Sequence, residues 1–255
     1  MSCLLITKAM TTYIQIIYNL RMLEQTTFII LPAYCEEKVI KDVIKDIQRE
    51  GFKNIIVIDD GSPDNTYKVA KSTGVIVLKH PINRGKGAAT QTGIDAAKLL
   101  NADIVVTMDS DGQHNPKDIK KLIKPILDNK ADVVIGSRMI NNKDMPKSRV
   151  VMNKIANLIT YLFFGIMVTD SQSGFRAYNK KAYNSVYTYL DRYEFESEML
   201  GQIKNAKLRV KEVPIKVIYT DYSKSKYKHM DGFFAQGLFN GIRMVVRLVE
   251  NSLFK

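Results

Sequence analysis

Cysteine is nearly absent: Cys3 and Cys35 are the only two in 255 residues. Neither a disulfide framework nor a cysteine-based zinc centre can be built from them, and a reducing compartment suits the chain. Long apolar runs are missing too. The longest charge-free apolar stretch, Ile155–Val168, falls short of the about 20 residues that a spanning helix needs. No transmembrane helix is expected. Residues 1–20 lack a clean apolar core followed by a small-residue cleavage site, so no secretory signal is expected either. There is no internal repeat and no low-complexity linker. Histidine is scarce, and His80, His114 and His229 have no second His or Cys at metal spacing. All three read as solvated side chains rather than ligands.

What remains is an ordinary globular composition, with 45% hydrophobic and 25% charged residues. It fits one large α/β domain, with or without small appendages. The net charge of +12 is unevenly placed. Residues 1–137 carry 18 Lys/Arg against 16 Asp/Glu, and residues 138–255 carry 20 against 10. A basic excess confined to one half suggests a surface that meets an anion. Nucleic acid, anionic lipid and a phosphorylated substrate all fit that description.

Apolar runs alternate with helical patterns along the first half. Strands are expected at Thr27–Leu31, Asn54–Ile58, Val75–Leu78, Asp103–Met108 and Asp132–Ile135. Between them, Glu36–Gly51, Thr66–Ser72, Arg84–Leu100 and Pro116–Asn129 have helical spacing. Continuous rather than alternating apolar strands indicate a mostly parallel sheet covered on both faces. The second half reads as helices at Val150–Val168, Lys180–Leu190 and Glu196–Lys204, with a loop and short strand or turn at Gly174–Tyr178. Arg209–Ile218 alternates like an edge strand, Tyr219–Asp231 is a polar basic loop, and Gly232–Phe254 is amphipathic.

Ligands of such sheets bind beyond the carboxyl ends of the strands, and the polar motifs of this chain fall there. Asp109-Ser110-Asp111, with Gln113 beyond, follows the fourth strand. Two carboxylates one residue apart suit a hard divalent cation bridging a diphosphate, so Mg²⁺ or Mn²⁺ fits and zinc does not. The same residues also suit a turn that caps the helix near Pro116. Asp59-Asp60-Gly61-Ser62 follows the second strand, where an acid can accept from a base or ribose, or simply cap the next helix. Arg84-Gly85-Lys86-Gly87 opens a helix whose N-terminus favours phosphate. It is neither a Walker A loop nor a full dinucleotide fingerprint, and it follows the third strand rather than the first.

These motifs, with Pro32-Ala33-Tyr34-Cys35-Glu36, occur in the order and spacing of family-2 glycosyltransferases of the GT-A fold, which the chain resembles over about Thr26 to Lys228. Gly136-Ser137-Arg138, Asp170-Ser171-Gln172-Ser173-Gly174-Phe175-Arg176 and Ser223-Lys224-Ser225-Lys226 make it similar to the dolichyl- or polyprenyl-phosphate sugar synthases. The resemblance implies an α/β, GT-A-type sheet with helices on both faces, followed by a C-terminal amphipathic helical segment. It implies that Pro32, Tyr34, Glu36, Asp59 and Asp60 hold the nucleoside, with Lys86 and Arg138 on the donor. Asp109, Asp111 and Gln113 would hold Mg²⁺ or Mn²⁺, and Arg149, Arg176, Lys224 and Lys226 would meet the acceptor phosphate. Asp109, Asp111 and Arg149 are the expected catalytic residues. One departure is Cys35, where the family usually has Asn.

The implied reaction is inverting transfer from a UDP- or GDP-sugar to a dolichyl or polyprenyl phosphate at the cytoplasmic face of a membrane, by a peripheral enzyme. A lipid phosphate is already anionic, so no strong general base is needed. Glu196 and Glu198 would be candidate bases for a hydroxyl acceptor, but both read better as helix-start carboxylates. Transfer to a saccharide hydroxyl is the first rival reading. The second is a non-catalytic nucleotide- or nucleic-acid-binding protein, against which stand the two metal carboxylates and the lack of aromatic–basic interleaving. The expected organisation is an N-terminal extension at 1–25, a catalytic domain at 26–230 and an amphipathic segment at 231–255.

Overall fold

The computed structural model describes residues 26–141, 145–188 and 195–218. The expected N-terminal extension, the Ser223–Lys226 loop with Lys224 and Lys226, His229 and the C-terminal segment lie outside these residues.

The elements in chain order are β1 (Thr27–Ala33), α1 (Ile40–Arg49), β2 (Ile55–Asp59), α2 (Thr66–Lys71), β3 (Ile76–Lys79), α3 (Lys86–Leu99), β4 (Ile104–Thr107), a 3₁₀ turn (Pro116–Asp118), α4 (Ile119–Leu127) and β5 (Val133–Ser137). Then come α5 (Lys147–Phe164), β6 (Arg176–Asn179), α6 (Lys180–Ser185), α7 (Phe195–Asn205) and β7 (Val210–Pro214). The seven strands form one sheet in the order β3-β2-β1-β4-β6-β5-β7. All neighbouring pairs are parallel except those of β6, which runs antiparallel to β4 and β5.

Alternate strand residues serve opposite faces, as the two-residue period of a strand requires. Ile29, Leu31, Ile55, Val57 and Val106 pack with Ile40, Val43, Ile44 and Ile47 of α1 and with Ile119, Leu122 and Ile123 of α4. Phe28, Ile30, Ile56, Ile58 and Val105 face Ala89, Ile94 and Ala97 of α3 and Met199, Leu200 and Ile203 of α7. This is why the strands read as unbroken apolar runs: both faces are covered.

The short segment at Gly174–Tyr178, read from sequence as a loop entering a strand or turn, is a central strand. Ala177 pairs with Val106 on one side and with Val134 on the other. Its four residues, Arg-Ala-Tyr-Asn, carry too little apolar pattern to announce a buried strand. Its place is set by two partners distant in the chain.

Asp132 ties the start of β5 to β6 and β7. Its carboxylate accepts from the Arg209 backbone N–H at 2.9 Å, from Arg209 Nε at 3.1 Å and Nη2 at 2.9 Å, and from Asn179 Nδ2 at 3.0 Å.

Helix α3 lies close on the sheet because it carries small residues. A Cβ at Gly93 would stand 2.3 Å from Ile30 Cγ2 and 2.8 Å from Ile58 Cδ1. Gly93→Ala therefore forces α3 off β1 and β2. Overpacking of this kind costs about 1–3 kcal/mol. Urea unfolding should show that loss, and an unchanged midpoint would contradict the close packing described.

Candidate active site

The carboxyl ends of β1, β2, β4 and β5 face one edge of the sheet, and the sequence motifs gather there. Asp60 follows β2 and is 3% exposed. Its Oδ1 accepts from the Arg84 backbone N–H at 3.0 Å and lies 2.7 Å from His80 Nδ1; its Oδ2 accepts from the Gly85 backbone N–H at 2.7 Å. One carboxylate thus holds the whole turn into α3. Gly85 has φ +108, which favours glycine, as does Gly61 at φ +71. Asp59 is fully buried, accepts from the Ser62 backbone N–H at 3.2 Å and lies 3.6 Å from Lys79 Nζ.

The β1 motif lies alongside. Ser62 Oγ accepts from the Cys35 backbone N–H at 3.0 Å, and Thr66 Oγ1 accepts from the Glu36 backbone N–H at 2.8 Å. Pro32 is buried, Glu36 is 4% exposed and Tyr34 is 44% exposed. The departure at Cys35 has a backbone consequence. Its φ is +57, a left-handed conformation that Asn tolerates better than most side chains.

At the end of β4, Ser110 Oγ donates to the Pro32 carbonyl at 2.7 Å, fastening this turn to β1. Asp111 accepts from Gln113 twice, at its Oδ1 from the backbone N–H (3.0 Å) and at its Oδ2 from Nε2 (2.8 Å). The Asp109 backbone N–H donates to His114 Nδ1 at 3.3 Å, and His114 stacks on Phe175 with ring centroids 4.8 Å apart. That bond leaves the other nitrogen, Nε2, to carry the proton, so His114 braces the turn rather than ligating. Burial lowers the His114 pKa, against the pull of Asp109 and Asp111. Both His80 and His114 are buried, contrary to the solvated reading of the sequence. Past β7, the Ile218 backbone N–H donates to the Gln113 carbonyl at 2.8 Å, tying this segment to the turn.

Lys86 lies between two carboxylates, with Nζ 2.7 Å from Asp109 Oδ1 and 3.1 Å from Glu196 Oε1. Burial works against the lysine's charge, but Asp109 and Glu196 outweigh it and raise the pKa well above the usual lysine range. Burial likewise pushes Asp109 up, yet the Lys86 cation overrides it and holds the carboxyl well below its usual range. Glu196 goes the other way: burial raises its pKa, with Lys86 and Arg176 only partly offsetting it. Sequence reasoning raised Glu196 only as a base for a hydroxyl acceptor and did not foresee its place beside Lys86. The only signal was its place at the start of a helix, which many structural carboxylates share. Glu198 is a structural one here, accepting from Thr188 Oγ1 at 2.6 Å.

The expected phosphate-binding arginines part company. Arg176 is 1% exposed and donates from Nε to the Ser173 carbonyl at 2.8 Å, from Nη1 to Glu196 O at 3.0 Å and from Nη2 to Ser171 O at 2.7 Å. Its charge is satisfied by backbone, so it holds the 171–174 loop and the start of α7 together rather than facing a phosphate. Arg138 grips Asp170, with Nε and Nη2 each 2.7 Å from a carboxylate oxygen. Arg149 is half-buried in the first turn of α5.

Among the described residues no group of three or more His, Cys, Asp or Glu side chains is set to hold a metal. Two carboxylates, Asp109 and Asp111, still fit Mg²⁺ or Mn²⁺, which keep waters and bind substrate phosphates instead of a full protein cage. The donor set is all oxygen, and Asp109 presents an oxygen held by a lysine side chain alone. Residues 28–187 match the sequence model of Glycosyl transferase family 2. The chain belongs to this family. A UDP-N-acetylglucosamine–dolichyl-phosphate N-acetylglucosaminyltransferase of Methanococcus voltae is 44% identical, over 80% of this chain and 90% of that protein. A polyprenol monophosphomannose synthase of Mycolicibacterium smegmatis is 29% identical over 79% of this chain and 81% of its own length. Glucosyl-3-phosphoglycerate synthase of Mycobacterium tuberculosis, solved with Mn²⁺ and UDP-glucose, superposes with a TM-score of 0.62 at 21% identity, covering 88% of this chain and 81% of that one. That likeness supports the GT-A fold. The chain is a glycosyltransferase.

Strain at Cys35 is measurable. A left-handed residue with a side chain costs about 1–2 kcal/mol, less for Asn. Cys35→Asn should raise stability by about 0.5–1 kcal/mol and leave nucleotide binding intact. A lower melting temperature in that variant would show that the thiol, not the backbone, matters at this position.

Proposed function

We propose that this glycosyltransferase moves a sugar from a UDP- or GDP-sugar to a dolichyl or polyprenyl phosphate, giving a lipid-linked sugar for glycan assembly such as protein glycosylation. The observation that carries this reading is the Asp109–Asp111 turn at the carboxyl end of β4, faced by Lys86. The name of the Methanococcus voltae relative supports the lipid phosphate and makes UDP-N-acetylglucosamine the first donor to try.

In this reading Pro32, Tyr34, Glu36, Asp59 and Asp60 hold the nucleoside, and Asp60 also sets the turn that presents Lys86. Asp109 and Asp111, with Gln113 orienting Asp111, hold Mg²⁺ or Mn²⁺. The bound cation would neutralise the leaving diphosphate. Lys86 and Arg138 add positive charge beside the donor. Arg149, with Lys224 and Lys226, holds the acceptor phosphate, and Arg176 keeps the loop below it in place. An acceptor phosphate oxygen attacks the anomeric carbon in line. The bond from that carbon to the diphosphate oxygen breaks, and its electron pair leaves with the nucleoside diphosphate. The acceptor is already anionic, so positioning supplies most of the catalysis. A single displacement inverts the anomeric centre.

Helix α5 supports a peripheral seat on the membrane face that supplies nucleotide-sugars, the cytoplasmic one. Among the described residues no helix is long and apolar enough to cross a membrane. Val151, Ile155, Leu158 and Leu162 follow helical spacing and are 44–69% exposed. The inward side carries polar residues: Asn157 bonds to the Thr169 carbonyl and the Ser171 N–H, and Thr160 meets Ser197, while Phe164 packs on Gly201. The helix carries Lys147, Arg149 and Lys154 and no acid. An apolar stripe beside cations suits an anionic bilayer surface.

A panel of nucleotide-sugars with a polyprenyl phosphate and Mg²⁺, read by mass spectrometry, tests the reaction. A lipid-phosphate sugar is expected. Asp111→Ala should abolish transfer, and chelation should stop the wild type reversibly. Arg149→Ala should cost about ten- to a hundredfold on a short water-soluble polyprenyl phosphate, the size of a lost charged hydrogen bond. Product on a saccharide hydroxyl alone would overturn the acceptor assignment.

Membrane seating is separable from chemistry. Leu158→Glu with Leu162→Glu should abolish flotation with phosphatidylserine-containing vesicles while keeping transfer to the soluble acceptor. Undiminished flotation would remove α5 from the membrane contact.

A further inference from the structure

Lys86, Asp109 and Glu196 come from three elements: the start of α3, the end of β4 and the start of α7. The Lys86 and Asp109 side chains keep 26% and 30% of their surface, whereas Glu196 keeps 4%. Both side chains keep part of their surface open, although the Asp109 oxygen that meets Lys86 is itself buried, and a buried acid backs them. Glu196 Oε2 is buried and has no hydrogen-bond partner, although Lys86 already touches the other oxygen of that carboxylate. An ammonium has three donors, and a buried acceptor left without one is costly. Gly174 walls the pair: a Cβ there would stand 2.7 Å from Lys86 Nζ and 2.9 Å from Asp109 Oδ1.

We propose that Lys86 is the resident counter-ion of Asp109, exchanged for the divalent cation, and that Glu196 is the positioning residue that takes the ammonium over. This rests on the reading of Asp109 as a metal ligand. A divalent cation on either oxygen of Asp109 comes close to the ammonium that sits 2.7 Å from Oδ1, and two cations so near repel in a partly buried site. That repulsion drives the lysine from Asp109, and its charge needs a partner when it leaves. Glu196 supplies one, and the transfer gives Oε2 the donor it lacks. Lys86 is then free of Asp109 and paired with Glu196 alone.

Glu196 is held while the lysine moves. Its carbonyl accepts from Arg176 Nη1 at 3.0 Å. The next residue, Ser197, meets Thr160 Oγ1 at 3.1 Å and Gln172 Nε2 at 3.2 Å through its hydroxyl. The start of α7 is fixed from three sides, whereas a lysine side chain reorients by rotamer changes alone.

The test is Mn²⁺ binding to the full chain without sugar or lipid, followed by electron paramagnetic resonance or calorimetry. Glu196→Gln should weaken Mn²⁺ binding about tenfold, the scale of one nearby charge on an ionic site. Lys86→Met should not weaken it. In the Lys86→Met background, adding Glu196→Gln should change the affinity by less than about twofold, because the residue through which Glu196 acts is gone. Circular dichroism checks each fold, and Lys86→Gln replaces the Met variant if that one fails to fold. Equal weakening in both backgrounds would mean that Glu196 acts on the metal directly and would overturn the proposal, as would unchanged binding in Glu196→Gln. A wild-type chain that binds no Mn²⁺ would overturn the metal assignment itself, and this inference with it.

Discussion

β1 is buried along all seven residues and pairs in parallel with both β2 and β4. Parallel pairing aligns the carboxyl ends of the three strands, so three polar turns open at one level. The backbone carries the alignment beyond the strands. The Asp60 N–H donates to the Ala33 carbonyl at 2.8 Å, and the Met108 N–H donates to Ile30 at 3.0 Å. Ser110 completes it from a side chain, on Pro32. A shift of β1 by one residue would exchange its two apolar faces and displace every motif at that edge.

Around this frame the site is built by charges holding backbone. Asp60 holds two amide groups of the turn into α3, Arg176 holds three carbonyls, and Asp170 holds both the side chain and the N–H of Arg138. Buried charges are tolerable when their hydrogen bonds are made. Such bonds fix loops more firmly than apolar contacts do, because they are directional. The result is a rim in which Lys86 is flanked by two acids, Asp109 and Glu196. A site preorganised in this way places charge before substrate arrives, which is the main electrostatic means of lowering a barrier.

Helix α5 departs from the usual arrangement of a surface helix. Its polar residues Asn157 and Thr160 face the protein and bond to the 169–171 loop and α7, while its apolar stripe faces outward. The same hydrogen bonds that seat the helix run to the segment ending at Gly174, against Lys86 and Asp109. The exposed apolar stripe and the Lys86–Asp109 edge thus share one connected piece of structure.

Local pattern determined much of this protein. The apolar runs of β1, β2, β4 and β5, the helical spacing of α1 and α4, and the carboxylates placed at strand ends were all legible, because each depends on residues near in the chain. Family resemblance added which carboxylates group together. Tertiary structure alone decided the rest. β6 is central because Ala177 finds Val106 and Val134, although its own four residues carry almost no apolar signal. Arg176 looks from sequence like a cation for phosphate, yet burial turns its guanidinium onto three carbonyls. Glu196 meets Lys86 across 110 residues of chain, and His80 meets Asp60 across 20. No periodicity records such pairs. The first arises because α3 and α7 pack on one sheet face, the second because β2 and β3 pair in parallel with Asp59 beside Lys79.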